Sequence, residues 1–137
     1  MLQSYEKFHS AHGKRLVLVA DDEMVNREIL GMVLDADYEV IFAENGREAL
    51  QKMRTHHELL SIVLLDLMMP GVDGFEVIRQ VRSKEENDDM KIVVLSALNS
   101  TEDIVRAYQA GANDFITKPI VMEKLINSVA TQLRLIK

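Results

Sequence analysis

The sequence predicts an α/β domain built around a parallel β-sheet. Five short runs rich in Val, Ile and Leu alternate along the chain with longer stretches of helical hydrophobic spacing, an arrangement typical of consecutive βαβ units. The runs that lead to Asp21, Asp66 and Ser96 are almost continuously apolar, as expected for strands covered by helices on both faces. At 137 residues the chain has the length of one domain with a sizeable core.

Each strand is predicted from one of these apolar runs. The second run, YEVIFA, alternates between polar and apolar residues more than the others do, which indicates an edge strand. The predicted strands cover residues 15–20, 38–42, 61–66, 91–96 and 113–117.

The helices are predicted from apolar residues spaced three and four apart. Asn99 or Ser100 can cap the fourth helix, and Gly111 is a suitable C-terminal stop for it. The polar segment 84–91 is interpreted as a solvated loop. The predicted helices cover residues 25–36, 46–56, 74–84, 100–110 and 121–136.

Two of the helices carry long apolar stripes, and we expect those stripes to face the sheet. The stripe of the first helix consists of Val25, Ile29, Met32 and Val33, widened by Leu30 and Leu34, and that of the last helix consists of Leu125, Ile126, Val129, Leu133 and Ile136.

Composition and charge exclude several classes of function. The formal net charge of -6 argues against sequence-independent binding to nucleic acid or to anionic lipid. Without cysteine, the chain has no disulfide, zinc–thiolate site or cysteine nucleophile. No stretch reaches the roughly 18 to 20 apolar residues that span a membrane, and we expect a cytoplasmic location. Residues 1–13 are interpreted as a flexible N-terminal arm or linker that precedes a domain over residues 14–137.

Five polar side chains follow or close the predicted strands. Because the carboxyl ends of parallel strands line one crevice, we expect these side chains to meet there. Carboxylates in such a cluster repel one another unless a cation lies among them, and Mg²⁺ is the hard cation that oxygen ligands suit. An ammonium and a hydroxyl beside them suit a phosphoryl group. The five residues are Asp21, Asp22, Asp66, Ser96 and Lys118.

The acidic pair and Met68 each have alternative interpretations. Asp21 and Asp22 could merely cap the first helix, since Asp is favoured at helix N-termini. The thioether of Met68 is a poor ligand for a hard cation, whereas its backbone carbonyl is a suitable one.

Four segments in order resemble the receiver domain of two-component response regulators: VADDE at 19–23, LLDLMMPGVDG at 64–74, VVLSA at 93–97 and GANDFITKPI at 111–120. The resemblance covers nearly the whole chain from about residue 15. It implies a three-layer, flavodoxin-like (βα)5 fold with a five-stranded parallel sheet in the order 2-1-3-4-5.

The resemblance also implies roles for the clustered residues. Asp66 matches the phospho-accepting aspartate, and Lys118 matches the lysine that contacts the phosphoryl group. Asp21 and Asp22 match the acidic pair that organises Mg²⁺, with Asp22 favoured as a direct ligand. The backbone carbonyl of Met68 matches the main-chain metal ligand.

A switch and an output surface are implied as well. Ser96 matches the switch hydroxyl and Phe115 the switch aromatic, which is tyrosine in many members; with phenylalanine, the switch works through packing alone. The expected partner surface lies on the face formed by residues 100–136, with Ile104, Val105 and Tyr108 as its contact residues.

The function implied is that of a signalling domain rather than an enzyme that acts on other substrates. Asp66 would take its phosphoryl group from a sensor histidine kinase or a histidine phosphotransfer protein, and the domain would then bind a downstream effector or form a homodimer. Direct contact with nucleic acid or membrane is not expected. The resemblance also implies that two positions affect the lifetime of the aspartyl phosphate: the second residue after the phospho-accepting aspartate and the second after the switch hydroxyl. Here they are Met68 and Leu98, both apolar, and we expect them to hinder an attacking water and slow hydrolysis.

Three alternatives remain at this stage. The chain is either a stand-alone regulator or a receiver excised from a hybrid kinase or multidomain regulator. A phosphatase with an aspartyl nucleophile, as in the haloacid dehalogenase family, would need a second acid two residues after Asp66, where this chain has Met68. The third alternative is an interaction domain that works without phosphorylation.

Overall fold

The sheet contains five parallel strands in the order β2-β1-β3-β4-β5. The structure, a computed structural model, describes residues 13–136. The interpretation of residues 1–13 as an arm therefore concerns residues that, apart from Gly13, lie outside the described part. The strands are β1 (Arg15–Ala20), β2 (Tyr38–Ala43), β3 (Leu60–Asp66), β4 (Lys91–Ser96) and β5 (Asp114–Thr117). The strand order and the edge position of β2 confirm the predicted fold.

Five α-helices connect and follow the strands, each within a few residues of its predicted range. Most of the predicted helices run one or two residues too far at the carboxyl end, where ends are least certain from sequence. The helices are α1 (Met24–Leu34), α2 (Gly46–Thr55), α3 (Gly74–Arg82), α4 (Thr101–Ala110) and α5 (Met122–Arg134), with a short 3-10 helix at Glu85–Asn87.

The helices cover the sheet on both faces and divide the core into two layers. One layer packs Ala49 and Met53 of α2, Ile78 of α3 and Ala107 of α4 against the sheet. The other layer is formed by Leu30 and Leu34 of α1 and by Leu125, Val129 and Leu133 of α5. All seven residues of β3 are buried because this strand lies in the middle of the sheet. The result is the predicted three-layer arrangement.

The register brings the carboxyl ends of the strands to one edge. Val19 of β1 pairs with Leu64 of β3, and Asp66 at the end of β3 pairs with Leu95 of β4. Ser96 in turn pairs with Thr117 of β5. Polar residues just after these positions therefore open onto the same crevice, as expected for parallel strands.

The predicted stripe of α1 is confirmed for Leu30 and Leu34 but wrong for three other residues. Only Leu30, Gly31 and Leu34 of this helix are buried, whereas Val25, Ile29 and Met32 are 60%, 43% and 81% exposed. The helix lies close against β2, because a Cβ on Gly31 would come within 2.7 Å of the Phe42 ring. The buried face is therefore narrow, and a large part of the apolar surface of α1 points away from the core.

Two smaller predictions also need correction. Ile126 of the α5 stripe is 45% exposed, while Leu125, Val129 and Leu133 are buried as predicted. The segment 84–91 is more than a solvated loop, because Asn87 and Met90 are 7% and 2% exposed. The Asn87 amide donates a hydrogen bond to the Val81 carbonyl, which fastens the segment to α3.

The ends of α4 follow the sequence signals. Ser100 caps the helix by accepting a hydrogen bond from the Asp103 amide, and Gly111 ends it with a φ of +122°. The Arg82 side chain passes close to Gly111, and its guanidinium donates to the carbonyls of Gly111 and Asn87 and to the side chain of Asn113. Arg82 thereby links α3 to the turn before β5.

Gly111→Ala should destabilise the fold strongly. A Cβ there would lie 2.5 Å from Arg82 Cγ, on a side chain held by three hydrogen bonds, in addition to the positive φ. We expect a loss of roughly 2 to 4 kcal/mol in the free energy of unfolding, measured by urea denaturation.

Gly71→Ala is the matched control. Gly71 has a φ of +79° but nothing within 4 Å of the added Cβ, so it should cost only about 1 kcal/mol. Equal losses for the two variants would contradict the packing argument.

Candidate functional site

Asp66 closes β3 with its side chain in the crevice and is only 5% exposed. Its Oδ1 accepts a hydrogen bond from the Met68 backbone amide at 2.9 Å, so the chain directly after the strand orients the carboxylate. Its Oδ2 accepts from the Lys118 ammonium at 3.2 Å. The carboxylate is thus held at both oxygens.

Lys118 follows β5 and reaches across to two carboxylates. Its Nζ lies 3.1 Å from Asp21 Oδ2 and 3.2 Å from Asp66 Oδ2. Its backbone amide donates to the Ser96 carbonyl at 2.8 Å, and the bond to Pro119 is cis. One ammonium therefore joins residues from the ends of β1, β3 and β5.

The acidic pair is divided between the interior and the surface. Asp21 is 1% exposed and its Oδ1 accepts from the Glu23 amide at 2.9 Å. Asp22 is exposed. The N-cap of α1 is Glu23, which makes no side-chain capping bond, so neither aspartate is simply a helix cap.

The three aspartates suit a divalent cation. One carboxylate oxygen from each of Asp21, Asp22 and Asp66 lies within 4.8 Å of the others. Oxygen donors from carboxylates, with an open side toward water at Asp22, are the kind of set that Mg²⁺ takes in proteins. The donor set therefore fits the metal.

Burial and charge act in opposite directions on the central pair. Burial raises the pKa of Asp66 above its usual value, although the Met68 amide and the Lys118 ammonium oppose this, while Asp21 adds to it. For Lys118, burial alone would lower the pKa, but the two carboxylates together outweigh it, so the pKa is raised. Lys118 therefore stays protonated between two carboxylates.

Ser96 ends β4 beside Asp66 and is fully buried. Its Oγ accepts a hydrogen bond from the Leu98 amide at 3.1 Å. Phe115, on β5, is half-buried and packs against the core layer that contains α4. These two residues lie on neighbouring strands, since Phe115 pairs with Val94.

The three predicted partner-surface residues lie on α4. Val105 and Tyr108 are 45% and 44% exposed, and Ile104 is half-buried. The Tyr108 hydroxyl donates to Asp114 Oδ1 at 3.3 Å. A shallow groove runs from Ile104 and Tyr108 to Pro119.

Sequence reasoning missed the residues that hold Asp21. The Asn26 amide lies 3.4 Å from Asp21 Oδ2, and the Arg27 guanidinium donates to the Asp21 carbonyl at 2.7 Å. Both lie in the first turn of α1, but their spacing from Asp21 is no signal, because Asp21 lies before the helix and these contacts depend on how the helix sits against the chain.

A second missed feature is an apolar rim, a set of four exposed apolar side chains on the segments just after the strands that end at the crevice: Met24, Val25, Met68 and Val121. These side chains are 61%, 60%, 58% and 53% exposed and belong to the chain segments that follow β1, β3 and β5. Large exposed apolar side chains beside a polar site are typical of an interaction surface.

The family model of the response regulator receiver domain matches residues 17–130. The chain belongs to this family and is a receiver domain of the two-component type. Receiver domains are signalling domains that use Mg²⁺ at an acidic pocket and interact with histidine kinases or phosphotransfer proteins. In the described part of the chain, no helix is long and apolar enough to cross a bilayer.

Individual relatives agree with this assignment. The chain is 40% identical over 119 residues to the response regulator MprA of Mycolicibacterium vanbaalenii, which covers 86% of this chain and 50% of MprA. It spans about half the length of the curated relatives it matches. The receiver domain of the Francisella response regulator 1452 superposes with a TM-score of 0.83 at 29% identity, covering 90% of this chain and all of that one.

A further solved structure contains a partner. It is the complex of the Saccharomyces cerevisiae histidine phosphotransfer protein Ypd1 with the receiver domain of its downstream response regulator Ssk1. The match has a TM-score of 0.78 at 30% identity and covers 85% of this chain and 87% of that one.

Asp66→Asn should stabilise the metal-free protein at neutral pH. Because the folded-state pKa of Asp66 is raised, its ionised form costs stability above that pKa. Replacing a buried charge by a neutral group of the same shape often gains on the order of 1 kcal/mol, and Lys118 keeps Asp21 as a partner.

The gain should depend on pH in a defined direction. As pH falls through the raised pKa, folded Asp66 becomes protonated and the advantage of Asn shrinks, and it disappears below the unfolded value of about 3.9. Urea unfolding in EDTA between acidic and neutral pH checks this. A variant less stable than wild type at neutral pH would contradict it.

Proposed function

We propose that this receiver domain accepts a phosphoryl group on Asp66 from the phosphohistidine of a sensor kinase or histidine phosphotransfer protein. The observation that supports this most is the convergence of Asp21, Asp66 and Lys118, joined by contacts of 3.1 and 3.2 Å, with Asp22 beside them. The similarity to Ssk1, crystallised with Ypd1, agrees with a donor of this kind.

The transfer is an in-line displacement at phosphorus. One oxygen of ionised Asp66 attacks, the phosphorus–nitrogen bond of the phosphohistidine breaks, and the imidazole nitrogen keeps the bonding electron pair. Lys118 is placed to move its hydrogen bond from Asp66 to a phosphoryl oxygen, and the Met68 amide keeps the carboxylate oriented. The residues act by positioning and by charge stabilisation.

Mg²⁺ would be held by the carboxylates of Asp21, Asp22 and Asp66 and by the Met68 carbonyl. Bound there, it supplies positive charge to the phosphoryl oxygens during transfer. The surrounding chain prepares the ligands, because the Glu23 amide and the Asn26 side chain hold Asp21. Asp21 is therefore an ordered ligand, while Asp22 stays open to water.

Ser96 and Phe115 would carry the signal away from Asp66. The Ser96 hydroxyl accepts from Leu98 and can donate its own hydrogen to a phosphoryl oxygen. That contact draws the chain after β4 toward the site and changes the space around Phe115. Because Phe115 has no hydroxyl, its part in the switch is packing alone.

The signal would reach the face that contains Ile104, Val105 and Tyr108. Val105 and Tyr108 offer exposed surface on α4, while Ile104 lines the groove toward β5. We propose that this face binds a downstream effector or a second phosphorylated copy. In this role the domain catalyses only its own phosphorylation and dephosphorylation.

The apolar rim indicates how the donor docks. Met24, Val25, Met68 and Val121 are exposed and follow the strands that end at the crevice, so a partner with an apolar helix face around its phosphohistidine would cover such side chains and exclude water from the crevice. Exclusion of water strengthens every electrostatic contact within the site. The rim also distinguishes this function from a phosphatase, since residue 68 supplies no acid for a leaving group.

Incubation with acetyl phosphate should phosphorylate the protein once. We expect intact mass spectrometry to show a gain of one phosphoryl group that requires Mg²⁺ and is absent in Asp66→Asn and in EDTA. Asp73→Asn is the matched control, because Asp73 is an exposed aspartate that caps α3. No gain under any condition, together with no binding of beryllofluoride, would favour an interaction domain that works without phosphorylation.

The phosphorylated form should be long-lived, and Met68→Glu should shorten its life several-fold. Met68 is exposed at the mouth of the crevice, where a carboxylate can orient an attacking water that a thioether cannot. The decay of the phosphorylated mass after removal of acetyl phosphate measures the lifetime. Met32→Glu places the same charge on the far part of α1 and should decay like wild type. Equal decay of the Met68 variant would contradict this account.

A further inference from the structure

The first residue of α2 touches the loop that holds the phosphoryl-transfer site. This loop, residues 67–73, connects β3 to α3. A Cβ on Gly46 would lie 2.0 Å from the Val72 carbonyl oxygen and 2.9 Å from Val72 Cβ. Gly46 is buried, and the nearest atom belongs to backbone, which cannot turn aside as a flexible side chain can. Only glycine allows this approach without movement of the loop.

The same loop is fixed from its other end. Gly74, the first residue of α3, donates its amide to the Leu67 carbonyl at 3.0 Å. A Cβ on Gly74 would come within 2.5 Å of Leu67 Cα and 2.8 Å of the Asp66 carbonyl oxygen. The loop is therefore enclosed between the first turns of two helices.

Movement of this loop would directly change a hydrogen bond to Asp66. The loop contains Met68, whose amide donates to Asp66 Oδ1 at 2.9 Å. Met68 is also the proposed main-chain ligand for Mg²⁺. A shift of Val72 changes the position of the loop and hence the orientation of one oxygen of the acceptor carboxylate.

The amino-terminal end of α2 is held firmly enough to limit movement of the 67–73 loop. The Asn45 side chain caps the helix by accepting from the Glu48 amide at 2.8 Å, and Ala49, Leu50 and Met53 bury one face of α2 in the core. Among the described residues, α2 places no side chain in the acidic cluster. Its influence on the site passes through its contact with the loop.

We propose that Gly46 is a positioning residue for phosphoryl transfer. Because it lets α2 contact Val72, it fixes the 67–73 loop where the Met68 amide donates to Asp66 and the Met68 carbonyl can bind Mg²⁺. The inference rests on the proposed function of Asp66. It assigns a role in the site to a residue outside the cluster of carboxylates, amine and hydroxyl.

Gly46→Ala is the test, because helix propensity alone predicts a more stable α2 and no loss of Mg²⁺ affinity. Alanine in the first turn should favour α2, so weaker Mg²⁺ binding would have to come from the contact with Val72. We expect the Mg²⁺ dissociation constant from calorimetry to rise roughly tenfold, as for other residues that position metal ligands. The amide resonances of Met68 and Val72 should shift in the metal-free protein.

Ala49→Gly is the matched control. It makes the reverse exchange at a buried position of the same helix, so it should lower thermal stability while the Mg²⁺ dissociation constant stays within about twofold of wild type. This comparison separates a loss of helix stability from a displaced loop.

The outcomes decide between the alternatives. Wild-type Mg²⁺ affinity and unchanged Met68 and Val72 amides in Gly46→Ala would overturn the inference. If Gly46→Ala does not fold, Val72→Gly takes its place, since it removes the Val72 side chain that lies near Gly46 and makes the backbone of the loop more flexible without adding a clash; unchanged Mg²⁺ affinity there would also overturn the inference. If wild type itself neither binds Mg²⁺ nor accepts a phosphoryl group, the proposed function fails, and this inference fails with it.

Discussion

The contact on which the rest of the site depends is one ammonium shared between two buried carboxylates. Lys118 on the chain after β5 reaches Asp66 on β3 and Asp21 on β1, although β4 lies between β5 and β3. Neighbouring strands are about 4.8 Å apart, so the lysine side chain must pass over the end of β4. The residue there, Ser96, is small and fully buried, and its carbonyl accepts from the Lys118 amide. A small residue at that end both leaves room for the lysine and helps to place it.

In the same cluster, stability and reactivity favour different protonation states of Asp66. Burial of Asp66 favours its neutral form, yet the proposed attack on phosphorus needs an ionised carboxylate, and Lys118 acts against the effect of burial. Lys118 supplies one positive charge for Asp21 and Asp66 together, which leaves the cluster with an excess of negative charge once Asp22 is included. That excess is what a divalent cation would neutralise. Without metal, the cluster therefore carries more negative than positive charge. A site for Mg²⁺ and a phosphoryl group requires this excess.

Most of the fold could be predicted from the sequence because its central strands are buried on both faces. Continuous apolar runs such as that of β3 have only one stable place in an α/β domain, and the polar residues after them mark one edge of the sheet. The prediction failed where burial depends on tertiary packing. Asn87 is polar but buried because its amide reaches the Val81 carbonyl. Two other features depend on how helices sit against loops, which residue spacing does not specify. They are the contacts of Asn26 and Arg27 with Asp21 and the close approach of Gly46 to Val72.

The failure on α1 has a different cause and carries information about function. Hydrophobic spacing predicts that Val25, Ile29 and Met32 face a core, since in a monomer apolar periodicity normally marks the buried face. Here Gly31 lets α1 pack on Phe42 through a narrow strip, and those three residues remain outside. The helix therefore presents apolar surface on two sides, only one of which the sheet covers. Because α1 begins shortly after the acidic pair, Met24 and Val25 lie at the end of the helix nearest to it. The pattern that wrongly predicted a buried face therefore marks apolar surface on α1 that is available to a binding partner.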